Sequence, residues 1–172
     1  MNRLYAPWRT EYINQGETAG CFLCLPARMT PAAQQRALIL QRGRDAFVIV
    51  NRYPYNNGHL MIVPNRHVGN IEELTAAEYS ELFATLQQAV GILRRVLHPD
   101  GFNVGMNLGR VAGAGLAEHI HIHVVPRWNG DTNFMPVFGQ TKVISEAFQK
   151  TYARLRPEFR NLKQVRAVSR RP

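Results

Sequence analysis

Residues 119–125 read His-Ile-His-Ile-His-Val-Val. Alternation of one polar type with β-branched aliphatics marks an extended strand, in which alternate side chains share a face. The pattern predicts a strand with His119, His121 and His123 on one face and Ile120, Ile122 and Val124 on the other. The aliphatic row requires a core beneath it, and the alternation suits a sheet with one wet face. Three imidazoles are poor core material. A neutral imidazole donates and accepts hydrogen bonds, titrates near neutrality and attacks phosphorus, and it also ligates metals. The row therefore points to anion binding, proton transfer, nucleophilic phosphate chemistry or metal binding, and these readings overlap.

The rest of the chain supplies the elements such a strand needs. Ala46–Val50, Leu60–Val63 and Phe102–Met106 read as further strands. Asn57-Gly58 is a hairpin turn signal between the first two, and Pro64 ends the second. Thr30-Pro31 starts a short helix expected to run through Leu40. Thr75 with Glu78 three residues on forms a capping box for a long helix. Tyr79, Leu82, Phe83, Leu86, Val90, Leu93 and Leu97 give that helix an apolar stripe, and His98-Pro99-Asp100-Gly101 ends it. A last helix is expected from about Thr141 to Leu155. The sum is an α+β layer, a mainly antiparallel sheet with one long helix against it.

At 172 residues the chain fits one domain with a sizeable core. No apolar run approaches the roughly 20 residues that span a bilayer. The first residues, MNRLYAPWRTEY, do not read as a secretory signal, so the expected location is cytoplasmic and no membrane partner is expected. The net charge is +9, and Arg154, Arg156, Arg160, Lys163, Arg166, Arg170 and Arg171 stand against Glu158 alone at the C-terminal end. That end reads either as a solvated basic segment or as a weak contact for an acidic partner, and nucleic-acid binding is not implied by charge alone. The two cysteines, Cys21 and Cys24 in CFLC, are too close to staple a loop. They read as metal ligands or a redox pair.

Glycines 109, 113 and 115 precede the histidine strand in NLGRVAGAGLAEH. Such a loop can bring backbone N–H groups close to phosphate or simply connect two strands, and it lacks the P-loop pattern. After the strand, Arg127 offers a cation for a distal phosphate. Trp128 offers a flat face for a base or for packing, and Asn133-Phe134 can shape the leaving-group side. Arg9 is a further candidate phosphate contact.

HIHIHVV resembles the signature of the histidine-triad family. The longer stretches GRVAGAGLAEHIHIHVVPRWNGDTNFMPV and NRYPYNNGHLMIVPNRHVGNIEEL resemble its bacterial branch of dinucleoside tetraphosphate (Ap4A) phosphorylases and hydrolases. The likeness runs from about Leu4 to Leu155, leaving 156–172 as a basic extension. It implies a five-stranded antiparallel sheet, a homodimer, and cleavage at a nucleoside α-phosphate. It makes His121 the nucleophile and His123 its phosphate-side partner, with a backbone carbonyl fixing the tautomer of His121. It sets Asn51 at the ribose and Asn107 at the phosphate end, beside Gly113 and Gly115 as candidate phosphate contacts and Trp128 as a candidate nucleotide contact from their own place in the chain. His59 supports the triad from a neighbouring strand, orienting His121 or satisfying a buried polar group. Cys21, Cys24, His67 and His119 match a structural zinc site of some bacterial members, closed by four protein ligands. Mg²⁺ would accompany the polyphosphate. Gly115-Leu116-Ala117 departs from the common Gly-Gln-Ser/Thr form, so side-chain donors at those positions are missing. Inorganic phosphate or water can be the acceptor, with phosphate preferred. A zinc-stabilised nucleotide-binding module without turnover is the reading from a different class.

Overall fold

The runs AFVIV and LMIVP are apolar or nearly so at every position, which suits strands covered on both faces. In the computed structural model they are the central part of a five-stranded sheet, and every residue of both is buried. The structure describes residues 20–26, 28–133 and 143–168, those from 161 onward as backbone only. The helices are α1 (Pro31–Arg36), α2 (Ala76–Leu97) and α3 (Phe148–Val168). The strands are β1 (Ile39–Arg42), β2 (Ala46–Val50), β3 (Leu60–Pro64), β4 (Gly101–Gly105) and β5 (Ile122–Arg127). The sheet order is β1-β2-β3-β5-β4, and each neighbouring pair is antiparallel. Helix α2 packs on β2, β3 and β5, while α3 packs on β1, β2 and α2. The α+β class and the five-stranded antiparallel sheet follow the expectation.

Helix α2 starts as its cap predicts. The Thr75 hydroxyl accepts the Glu78 N–H at 3.2 Å, and the Glu78 carboxylate accepts the Thr75 N–H at 2.9 Å. Glu78 also takes Arg66 in two hydrogen bonds, at 2.8 and 2.9 Å. That pair, with the cap bonds, holds the Glu78 carboxyl down at about 2. The buried stripe is shifted from the expected one. Leu82, Ala89, Ile92 and Leu93 face the core, whereas Tyr79 and Phe83 are exposed and lie against each other. At 3.6 residues per turn Tyr79 and Phe83 lie one position off the line of Glu78, Leu82 and Thr85, and the polar pair goes inward.

Two helix boundaries also differ. Helix α1 does not reach Leu40. It stops at Arg36, Leu38 turns the chain with a φ of 61°, and Ile39 and Leu40 enter edge strand β1. Leu38, Ile39 and Leu40 are consecutive and all buried, an arrangement a short surface helix cannot provide. The last helix starts at Phe148, not near Thr141, which lies outside the described residues. It runs past Leu155, and Tyr152, Leu155 and Phe159 are buried at helical spacing. Residues 156–160 therefore pack with the body, although the resemblance ends near Leu155. Pro157 lies inside this helix on an exposed position, as does Ala153, whose carbonyl loses its helical donor.

Strand β5 begins at Ile122, and the segment His119–His121 leads into it. The Ile120 N–H donates to the Val68 carbonyl at 2.7 Å, which ties that lead-in to the strap after β3. The expected alternation holds on the aliphatic side, with Ile120, Ile122 and Val124 buried. The imidazole side is not wet. His119 is fully buried and His121 is 9% exposed. Only His123 is partly open, between Met61 of β3 and Gly105 of β4, and Gly105 leaves open space where a side chain would stand.

Candidate active site and metal centre

Five of the six histidines lie along β3 and β5, His59 and His123 toward one end and His67 and His119 toward the other, and backbone groups set the tautomer of three. A carbonyl can only accept and an amide N–H can only donate, so each bond assigns a ring proton. The Nδ1 of His121 lies 2.9 Å from the His119 carbonyl. Nδ1 therefore carries the proton, and Nε2 holds a lone pair. The expected backbone acceptor for His121 is thus the carbonyl of His119.

His59 pairs with His123, not with His121. Its Nδ1 accepts the Tyr55 N–H at 3.0 Å, and Asn51 Nδ2 approaches the same nitrogen at 3.3 Å. The proton of His59 is then on Nε2, which lies 2.9 Å from His123 Nδ1. His123 must accept there, and its own proton goes to Nε2. The outcome is a one-way relay from Tyr55 through His59 to His123. Burial, the largest cause, holds His59 down at about 3 and His123 at about 4. Both rings are neutral at pH 7, as the relay requires. The rings of His121 and His123 meet edge to face, with centroids 4.7 Å apart.

Asn51 is buried at the base of the same loop. Its Oδ1 accepts the Tyr53 N–H at 2.9 Å, which fixes the amide with Nδ2 toward His59. Asn51 thus shapes the loop and retains spare donor and acceptor capacity. Asn107 donates to the Gly113 carbonyl at 3.3 Å and closes the glycine loop. Gly109 and Gly113 have φ of 80° and 89°, the left-handed region where glycine is favoured. Gly115 stands in open space. Arg127 bonds Asp131 at 2.6 and 3.0 Å and Asn103 at 2.7 Å, so it braces β5. Trp128 donates its indole N–H to the His98 carbonyl at 3.1 Å. It lies five residues along an extended strand from His123, roughly 15 Å away, and the structure does not bring it to the imidazoles. Arg9 and Phe134 lie outside the described residues.

The first histidine of the row serves a second centre. His119 Nε2 is 3.0 Å from the Pro64 carbonyl, so its Nδ1 has the lone pair. That Nδ1 faces Cys21 Sγ at 3.2 Å and Cys24 Sγ at 3.6 Å. His67 Nδ1 lies 3.1 Å from Cys24 Sγ, and all four ligand atoms lie within 4.8 Å of one another. Two free thiols and two nitrogens at that spacing fit a tetrahedral Cys₂His₂ ion, zinc before others, with no open position. The sequence places each ligand firmly. Leu23, between the thiols, is fully buried, and Arg42 donates to the carbonyls of Leu25 and Pro26. His67 follows Arg66, which is clamped to Glu78 at the start of α2.

Tyr55 is the site residue that sequence reading misses. Its ring lies over His59 at 4.7 Å and His123 at 5.5 Å. The signal available was its place in NRYPYNNGH, four residues before His59.

Known proteins resemble this chain in sequence and in fold. Residues 32–130 match the HIT domain. A Mycobacterium tuberculosis protein named AP-4-A phosphorylase is 40% identical over 165 residues, covering 92% of this chain and 85% of that one. A Dictyostelium discoideum protein named bis(5'-adenosyl)-triphosphatase is 29% identical over 120 residues, covering 66% of this chain and 80% of its own. The crystal structure of a zinc-bound histidine triad family protein from Mycobacterium smegmatis aligns with a TM-score of 0.60 at 25% identity, over 75% of this chain and 88% of that one. With its alternating histidines leading into and along β5, its HIT-domain match and a relative this similar over most of its length, the chain belongs to the histidine-triad (HIT) family.

Proposed function

We propose that the protein cleaves dinucleoside polyphosphates such as Ap4A at a nucleoside α-phosphate, with inorganic phosphate as the acceptor. The observation that carries this is the 2.9 Å contact between His121 Nδ1 and the His119 carbonyl, which in the neutral ring puts the proton on Nδ1 and leaves Nε2 with a lone pair. Nε2 attacks the α-phosphorus, a P–N bond forms, and the bond to the leaving nucleotide breaks. The ring becomes cationic as it attacks, and the carbonyl at Nδ1–H stabilises that charge. His123 presents Nε2–H to a phosphoryl oxygen. Phosphate oxygen then attacks the nucleotidyl-histidine and the P–N bond breaks. From Ap4A the products are ATP and then ADP. Water as acceptor gives ATP and AMP, the hydrolase alternative.

Asn51 is assigned to the ribose through its spare amide capacity, and the Asn107–Gly113–Gly115 loop to the distal phosphates. Cys21, Cys24, His67 and His119 hold zinc, which ties the N-terminal knuckle to the triad strand and takes no part in the reaction. Mg²⁺ accompanies the substrate as counter-ion. The reading carries with it a cytoplasmic location and a homodimeric assembly. Among the described residues no helix is long and apolar enough to cross a membrane.

The test is Ap4A turnover with and without inorganic phosphate. Phosphate-dependent release of ADP with ATP supports the proposal, and AMP with ATP under both conditions selects the hydrolase. His121→Ala should lower turnover by about a thousandfold or more and abolish the trapped nucleotide. Turnover near wild type in that variant would remove His121 from the role. A wild type that binds Ap4A without cleaving it is the non-catalytic module.

A further inference from the structure

Tyr55 is 53% exposed, so filling the core does not account for it. Yet it is held in place from both sides. Upstream, Asn51 Oδ1 takes the Tyr53 N–H. Downstream, Asn56 donates to the Pro126 carbonyl at 3.0 Å and to Asp131 at 2.7 Å, and Asn57 donates to Ser145 at 2.7 Å. An exposed aromatic on a bolted loop does its work at its own surface. One part of the Tyr55 ring lies on the His59–His123 pair. Its N–H is the donor that defines which way the hydrogen bond between those imidazoles runs.

We infer that Tyr55 is a positioning residue for His123. Its main-chain N–H sets the direction of the relay, and its ring backs the two imidazoles so that His123 keeps Nε2–H toward the substrate. This rests on the reading above for what His123 does. The titratable groups facing His123 are His59 at the start of β3, His121 on its own strand and Tyr55 on the loop, and Gly105 on β4 adds none. Because burial is the main reason His123 sits low, uncovering the pair moves its titration upward.

The experiment uses the full chain with zinc bound, in wild type, Tyr55→Phe, Tyr55→Leu and Tyr55→Ala. The histidine ring resonances are titrated by NMR, and kcat and KM for Ap4A are measured beside them. Tyr55→Phe keeps the ring and the N–H, so both readouts should match wild type. Tyr55→Ala and Tyr55→Leu should raise the His123 midpoint. They should lower kcat about three- to tenfold, the worth of an aromatic contact, and leave KM within about twofold. Tyr55→Leu keeps the test open should the alanine variant not fold. An unchanged His123 titration in both non-aromatic variants overturns the inference. So does a Tyr55→Phe variant as impaired as Tyr55→Ala, which would assign the hydroxyl to the substrate. Should the wild type not cleave Ap4A, the functional reading fails, and the NMR titration still decides the role of Tyr55.

Discussion

Acid should unfold this protein partly through one residue, His59. The ring is 0% exposed and held neutral at about 3 by burial. In the unfolded chain it titrates near 6.5. The folded value is depressed, so the unfolded state takes up the proton first as pH falls below about 6.5. Stability is complete above that pH and drains as pH falls toward 3. At pH 5 the folded ring is still neutral, so the loss depends only on the unfolded value and comes to about 2 kcal/mol. His123 acts in the same direction, as does His119, which burial also pushes below its ordinary value. Protonation of zinc ligands adds a further loss at low pH. Comparison with His59→Gln isolates the His59 share, because the other contributions are common to both proteins. Urea unfolding of zinc-saturated wild type and variant at pH 8 and pH 5 gives the measurement. The stability advantage of wild type should shrink by about 2 kcal/mol between the two, on the order of 1 M in relative midpoint. An advantage that stays constant from pH 8 to pH 5 would show that His59 is not a buried neutral ring, and the relay assignment would fall with it.

Two other outcomes are expected. Metal analysis should find one zinc per chain, and Cys21→Ser with Cys24→Ser should abolish it and lower thermal stability; a metal-free native protein with reduced thiols would refute the site. Gly58→Ala should destabilise by roughly 2 kcal/mol or more, measured by urea unfolding, because Gly58 has a φ of 75° and an added Cβ would lie 2.4 Å from Leu97. A variant as stable as wild type would mean that the β2–β3 loop shifts freely.

Much of this architecture is legible in local pattern. The period of two at 119–125, the apolar runs of β2 and β3 and the Thr75–Glu78 box each describe their element without reference to the rest of the chain. What was not legible depends on tertiary neighbours. Ile39 and Gln41, on either side of Leu40, pair with Ile49 and Val48 of β2, a fact no helix propensity contains. Tyr79 and Phe83 look like core at helical spacing, but the buried side of α2 is set by a cap whose carboxylate also answers Arg66. The residue types at the site could be read, down to the four side chains that the fold brings close enough to hold a metal ion. Their pairings could not, because histidine ring partners are chosen across the sheet. Only the folded chain shows that His59 serves His123, that Arg127 is occupied by Asp131, and that Trp128 braces the end of α2.

The His119 carbonyl has a consequence for what a substitution at this position does. Under the proposed mechanism that oxygen aims the attacking nitrogen, and every amino acid has one. Replacing His119 would empty a corner of the metal centre and leave the acceptor for His121 chemically intact. A substitution at this position therefore separates the side chain that could hold a metal from the bond that orients His121.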